Sequence, residues 1–131
     1  MGEAESDVLA LDLRCDLAAP ARVRGALSRL EGRGWRLGDA MLVATELVTN
    51  ALRHSNCHED ELMQVQLEQW PECLLISVQD PGTSGKVARA RHPNDIGEGG
   101  VGLWVVEQLA RRWGTERDGG YRVWAELPLA A

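Results

Sequence analysis

From Ala40 to His54 the apolar residues Leu42, Val43, Leu47, Ala51 and Leu52 form one broad stripe at helical spacing, with Asp39 placed as an N-cap. A helix of this kind must bury its stripe against a second layer. The flanking segments show what that layer is. Val8 to Leu17 and Met63 to Glu68 alternate apolar and polar residues, the period of a half-buried strand, and Cys73 to Gln79 reads as a further strand. Trp70-Pro71-Glu72 makes a turn between the last two. Pro20 suits the first turn of a helix over 21–30, which Gly32 and Gly34 stop. Val101 to Trp113 carries Val101, Val105, Leu109 and Ala110 at helical spacing, and a closing hairpin follows: 115–117, a turn at Asp118-Gly119-Gly120, then 121–127. The order β-α-α-β-β-α-β-β predicts an α+β fold. It is a two-layer α/β sandwich with a mixed, mostly antiparallel sheet and the helices on one face. Residues 1–131 read as one domain with its core at about 10–128.

Composition narrows the function classes. The chain has 131 residues and is 44% hydrophobic, enough for one domain with a proper core. A net charge of -6 argues against direct nucleic-acid binding, which needs a basic face. The three cysteines, Cys15, Cys57 and Cys73, are odd in number and lack a C-x-x-C spacing, so no disulfide framework is expected. The acidic start lacks a signal-peptide core, and no apolar run approaches a membrane span. The expectation is a soluble cytoplasmic protein.

Three segments carry candidate chemistry. In Glu46-Leu47-Val48-Thr49-Asn50-Ala51-Leu52-Arg53-His54, Glu46 and Asn50 lie one turn apart on one helix face. Such residues usually mark a solvent edge. As a site, the Asn50 amide oxygen can ligate Mg²⁺, and Glu46 can orient or deprotonate an attacking hydroxyl. Asp80-Pro81-Gly82 ends a strand. It is either an ordinary turn or a carboxylate acceptor for an exocyclic amine, with Gly82 allowing close backbone approach. Gly97-Glu98-Gly99-Gly100-Val101-Gly102 satisfies G-x-G-x-x-G, but no strand immediately precedes it, which argues against a dinucleotide fingerprint. Its backbone N–H groups at a helix start would instead cradle phosphates. Residues 81–99 lack periodicity and read as a lid. His54, Cys57 and His58 are spaced as metal ligands might be, yet His92 is isolated and no further ligand cluster completes a zinc site. The five tryptophans read as packing residues.

In this order the three segments resemble the ATP site of the GHKL superfamily, whose domains share the Bergerat fold, and the likeness runs from about residue 10 to 128. Glu46-x-x-x-Asn50-Ala51-x-x-His54 is similar to the branch of stand-alone anti-sigma-factor kinases, and Gly100-Val101-Gly102-Leu103-Trp104 to actinobacterial ATP-binding regulatory proteins. The resemblance implies ATP and Mg²⁺ as cofactors, Asn50 as the magnesium ligand and Glu46 as the base. It places Arg53, His54, Asp80, Gly82, Gly97, Gly99, Gly100, Val101 and Gly102 around the nucleotide. It further implies a serine/threonine protein kinase that regulates transcription: it phosphorylates a STAS-type anti-anti-sigma partner and sequesters a sigma factor. The alternative is a weakly active or inactive ATP-binding module that acts by protein binding. Oligomeric state stays open, a homodimer included.

Overall fold

The structure, a computed structural model, describes residues 7–29, 37–54, 57–80, 101–117 and 121–129. The elements are β1 (Asp7–Arg14), α1 (Ala19–Ser28), α2 (Leu37–His54), β2 (Leu62–Gln69), β3 (Cys73–Asp80), α3 (Val101–Leu109), β4 (Arg112–Arg117) and β5 (Tyr121–Pro128). The order is the one read from periodicity. The segment expected as a lid at 81–99 lies outside the described residues, as do Gly32, Gly34, Trp35 and the 118–120 turn.

Alternation builds the sheet. Its strands run in the order β1-β2-β3-β5-β4, and every neighbouring pair is antiparallel. The register sets Leu67 opposite Ile76 and Ile76 opposite Ala125, so apolar side chains fall on one face in adjoining strands. That face buries Met63, Val65, Leu67, Leu74, Ile76, Val78, Val123, Ala125 and Leu127. Helix α2 supplies the facing layer through Ala40, Val43, Ala44, Leu47, Val48 and Ala51. It lies on β3 and β5, with α1 and α3 packed against its flanks. Each large aliphatic side chain fully buried there contributes about 1.5–3 kcal/mol of transfer free energy, so the stripe that announces α2 also fixes which of its faces meets the sheet.

Local details depart from the sequence reading for identifiable reasons. Strand β1 stops at Arg14, before Leu17, because Asp16 turns the chain: its carboxylate accepts from the Ala18 N–H at 2.9 Å and its carbonyl from the Ala19 N–H at 3.1 Å. Leu17 is left 94% exposed. Asp39 is not a cap but sits inside the first turn of α2, where its charge still favours the helix N-terminus. Helix α3 ends at Leu109, and Trp113 belongs to β4. The Arg111 N–H donates to the Glu126 carbonyl at 2.8 Å and Trp113 pairs with Ala125, so sheet pairing captures backbone that the apolar spacing assigned to the helix.

The largest correction concerns cysteine. Cys15 and Cys57, 42 positions apart, form a disulfide with their Cα atoms 5.9 Å apart, against the expectation of no disulfide framework. The Cys15 N–H also donates to the Glu61 carbonyl at 3.1 Å, and the His58 N–H to the Glu61 carboxylate at 2.8 Å. The segment after α2 is thereby tied to the end of β1. With Cys57 in this bridge, the zinc reading of His54, Cys57 and His58 loses its thiolate. Among the described residues no group of three or more His, Cys, Asp or Glu could hold a metal ion.

Candidate functional site

A small pocket opens between α2 and the ends of β3 and β5. Leu47, Asn50, Ala51, Val78, Asp80, Tyr121 and Val123 line it, and the room inside is about 10 Å³. That is on the order of one water, so the lining side chains nearly fill the pocket, and a planar base enters only if they move apart. Four of its walls are aliphatic. Its surface is almost wholly apolar, although the polar residues Asn50, Asp80 and Tyr121 are among those that line it.

Two of those polar groups come from separate sequence motifs. Asn50 lies on the buried side of α2, three residues after Leu47, and is only 7% exposed. Asparagine is a poor helix former, and a buried amide is stabilising only when its hydrogen bonds are met. Its presence inside an otherwise apolar stripe therefore opposes folding economy and fits a site residue. Asp80 ends the central strand β3 and is 5% exposed. The alternation that points Ile76 and Val78 at α2 carries Asp80 to the same side. Folding thus brings together two residues 30 positions apart that the sequence singled out independently.

The other candidates are placed less closely. Glu46 is half-buried on α2, one turn before Asn50 and outside the pocket lining. Arg53 is exposed near the end of the same helix, which closes at His54. Val101 and Gly102 open α3, so the glycines of the third motif immediately precede a helix N-terminus packed on α2. Gly82, Gly97, Gly99 and Gly100 themselves lie outside the described residues. Of the described lining residues, Leu47, Ala51, Val78, Tyr121 and Val123 are outside the motif-based candidate set, and Tyr121 is the one among them with a polar group. Its signal is positional: it opens β5 and stands directly opposite Asp80 in the β3–β5 register.

The donor set bears on magnesium. Among the described residues no acidic cluster stands ready to enclose a cation. A buried amide oxygen at Asn50 instead suits an ion that keeps several waters and shares its remaining positions with phosphate oxygens.

Comparison with known proteins bears on the family and the fold. A family model described as the histidine kinase-like ATPase domain matches residues 14–126. The crystal structure of the RsbU and RsbW domains of Rv1364c from Mycobacterium tuberculosis superposes with a TM-score of 0.70 at 20% identity, over 95% of this chain and 33% of that one. The present chain thus spans about a third of that protein's length, and the likeness establishes the fold. Two further matches score lower. The histidine kinase domain from Erythrobacter litoralis EL346 blue-light activated histidine kinase gives 0.43 at 24% identity, over 86% of this chain and 60% of that one. The histidine kinase domain of the E. coli osmosensor EnvZ gives 0.46 at 17% identity, over 100% and 94%. A search of curated proteins found no match.

Proposed function

The chain belongs to the histidine kinase-like ATPase domain family, and from that premise we propose that it is an ATP-binding protein kinase of the anti-sigma-factor type. One observation carries the reading: Asn50 and Asp80 meet in a single apolar pocket at the helix–sheet boundary. In this account the adenine enters the pocket and its exocyclic amine donates to the Asp80 carboxylate, with Gly82 letting the backbone approach the ring. The phosphates run toward the start of α3. There the N–H groups of Gly97, Gly99, Gly100, Val101 and Gly102 and the helix dipole favour negative charge, with Arg53 and His54 adding donors from α2. Asn50 holds Mg²⁺, which neutralises charge on the triphosphate.

Transfer then needs one more group. Glu46, a turn before Asn50, accepts the proton of a serine hydroxyl as its oxygen bonds to the γ-phosphorus and the bond to the β-phosphate oxygen breaks, releasing ADP. The serine belongs to a STAS-type anti-anti-sigma protein, and the same surface layer sequesters a sigma factor. This choice of partners follows the resemblance of Glu46-x-x-x-Asn50-Ala51-x-x-His54 to the anti-sigma-factor kinase branch. A protein that acts on sigma factors in this way works in the cytoplasm. No helix among the described residues is long and apolar enough to cross a membrane. The second reading is an ATP-binding module that regulates by protein contact without transfer.

Labelled ATP incubated with co-encoded STAS proteins, with and without magnesium, separates the two. Magnesium-dependent label on a STAS serine supports the kinase, whereas sigma-factor binding without any label supports the module. The adenine contact has its own test. Asp80→Asn replaces part of an acceptor with a donor, and a mismatched buried hydrogen bond costs about 1–3 kcal/mol. ATP should bind about 10- to 100-fold more weakly by calorimetry, with the circular dichroism spectrum unchanged. Undiminished affinity would remove Asp80 from the base site.

A further inference from the structure

Among the described residues that line the pocket, Tyr121 has the largest side chain and the one aromatic ring. It begins β5 directly opposite Asp80 on β3. Residues so paired on one face have their Cβ atoms about 4.5–5.5 Å apart, so ring and carboxylate stand side by side at the end of the sheet. Both are buried, at 6% and 5% exposure. The apolar lining residues beside it, Leu47, Ala51, Val78 and Val123, are smaller. A rigid ring in this position sets how much can be placed next to the carboxylate.

We propose that Tyr121 is a specificity-determining residue: its ring closes the pocket beside Asp80 and limits the site to bases whose exocyclic amine carries no bulky substituent. The proposal rests on the adenine reading of Asp80 and goes beyond it, because a carboxylate alone accepts a hydrogen bond from a substituted amine as readily as from a free one. The remaining N–H of an N6-alkyl adenine could still donate to Asp80. What excludes such a base is space, and the space is set by Tyr121. Phenylalanine at this position keeps the ring and valine, a good strand residue, removes it.

The test titrates ATP, N6-methyl-ATP and N6-benzyl-ATP into wild type, Tyr121→Phe and Tyr121→Val, each checked for fold by circular dichroism. Wild type and Tyr121→Phe should bind N6-benzyl-ATP at least about tenfold more weakly than ATP, the scale on which a filled apolar pocket rejects excess bulk. Tyr121→Val should shift the ratio of the two affinities toward N6-benzyl-ATP by about tenfold or more. Wild type binding N6-benzyl-ATP as well as ATP overturns the proposal, and does so even if Tyr121→Val fails to fold. An unchanged ratio in a folded Tyr121→Val overturns it too. Wild type that binds no ATP overturns the adenine site itself, and that outcome is distinct from ATP binding with an unmoved ratio.

Discussion

Glu46→Ala is expected to lower phosphoryl transfer by about 10²–10⁴-fold, the range assigned to a positioned general base, while ATP affinity stays within about twofold of wild type. The split follows from position. Glu46 is on α2 one turn before Asn50 but does not line the pocket proposed for the base. Removing it takes away the proton acceptor and leaves the nucleotide contacts in place. Asn50→Ala should behave differently, losing magnesium-dependent ATP binding and transfer together, because its amide oxygen is the cation's protein ligand in this account. Rapid-quench measurement of label on the STAS serine, beside calorimetry with and without magnesium, reads both. If Glu46→Ala transfers at the wild-type rate, Glu46 is not the base. Equal loss of ATP affinity in both variants would place Glu46 on the nucleotide instead.

Reducing the Cys15–Cys57 bridge is expected to destabilise the fold by about 4 kcal/mol. The bridge closes a segment spanning 42 positions, and chain-entropy arithmetic for a loop of that length gives a figure of this order. The unfolding constant should therefore rise by nearly three decades, read as a lower urea midpoint in reductant and in Cys57→Ser, with no further effect of reductant on the variant. Cys73 does not complicate the comparison. It lies on β3, apart from the bridge, and burial, with the Glu126 carboxylate second, pushes its thiol above the ordinary range. Less thiolate at neutral pH makes it a weak partner in exchange. Identical midpoints with and without reductant would show that the bridge does not constrain the unfolded chain. Disulfides are rare in reducing compartments, so in a cytoplasmic setting the reduced value is the relevant one.

How much of this was legible in the sequence depends on the kind of signal each element carries. Helix α2 was legible because its stripe runs for four turns without a competing period. The strands were legible because alternation is unambiguous where one face is buried. The end of α3 was not, since Ala110 and Trp113 continue a helical spacing that the pairing of Arg111 and Trp113 with β5 overrides. Such a contact is invisible until the strands are assembled. The disulfide was illegible for a similar reason: 42 residues separate Cys15 from Cys57, and only the packing of the segment after α2 on the end of β1 makes them neighbours. At the site, Asn50 and Asp80 were each readable as chemistry, but each had an ordinary explanation. What spacing could not supply was their meeting in one pocket, or the presence of Tyr121 beside them, which follows from the β3–β5 register alone.

The central claim is that this pocket receives the base of ATP, and a nuclear magnetic resonance titration of the isotope-labelled chain with ATP and Mg²⁺ tests it most directly. The account predicts saturable shifts in the backbone amides of Leu47, Asn50, Ala51, Val78, Asp80, Tyr121 and Val123, the residues that line the pocket. Ala10 and Gln64, exposed on the opposite face of β1 and β2, should not move. No shift at saturating ATP, or shifts confined to that opposite face while the pocket amides stay still, would contradict it.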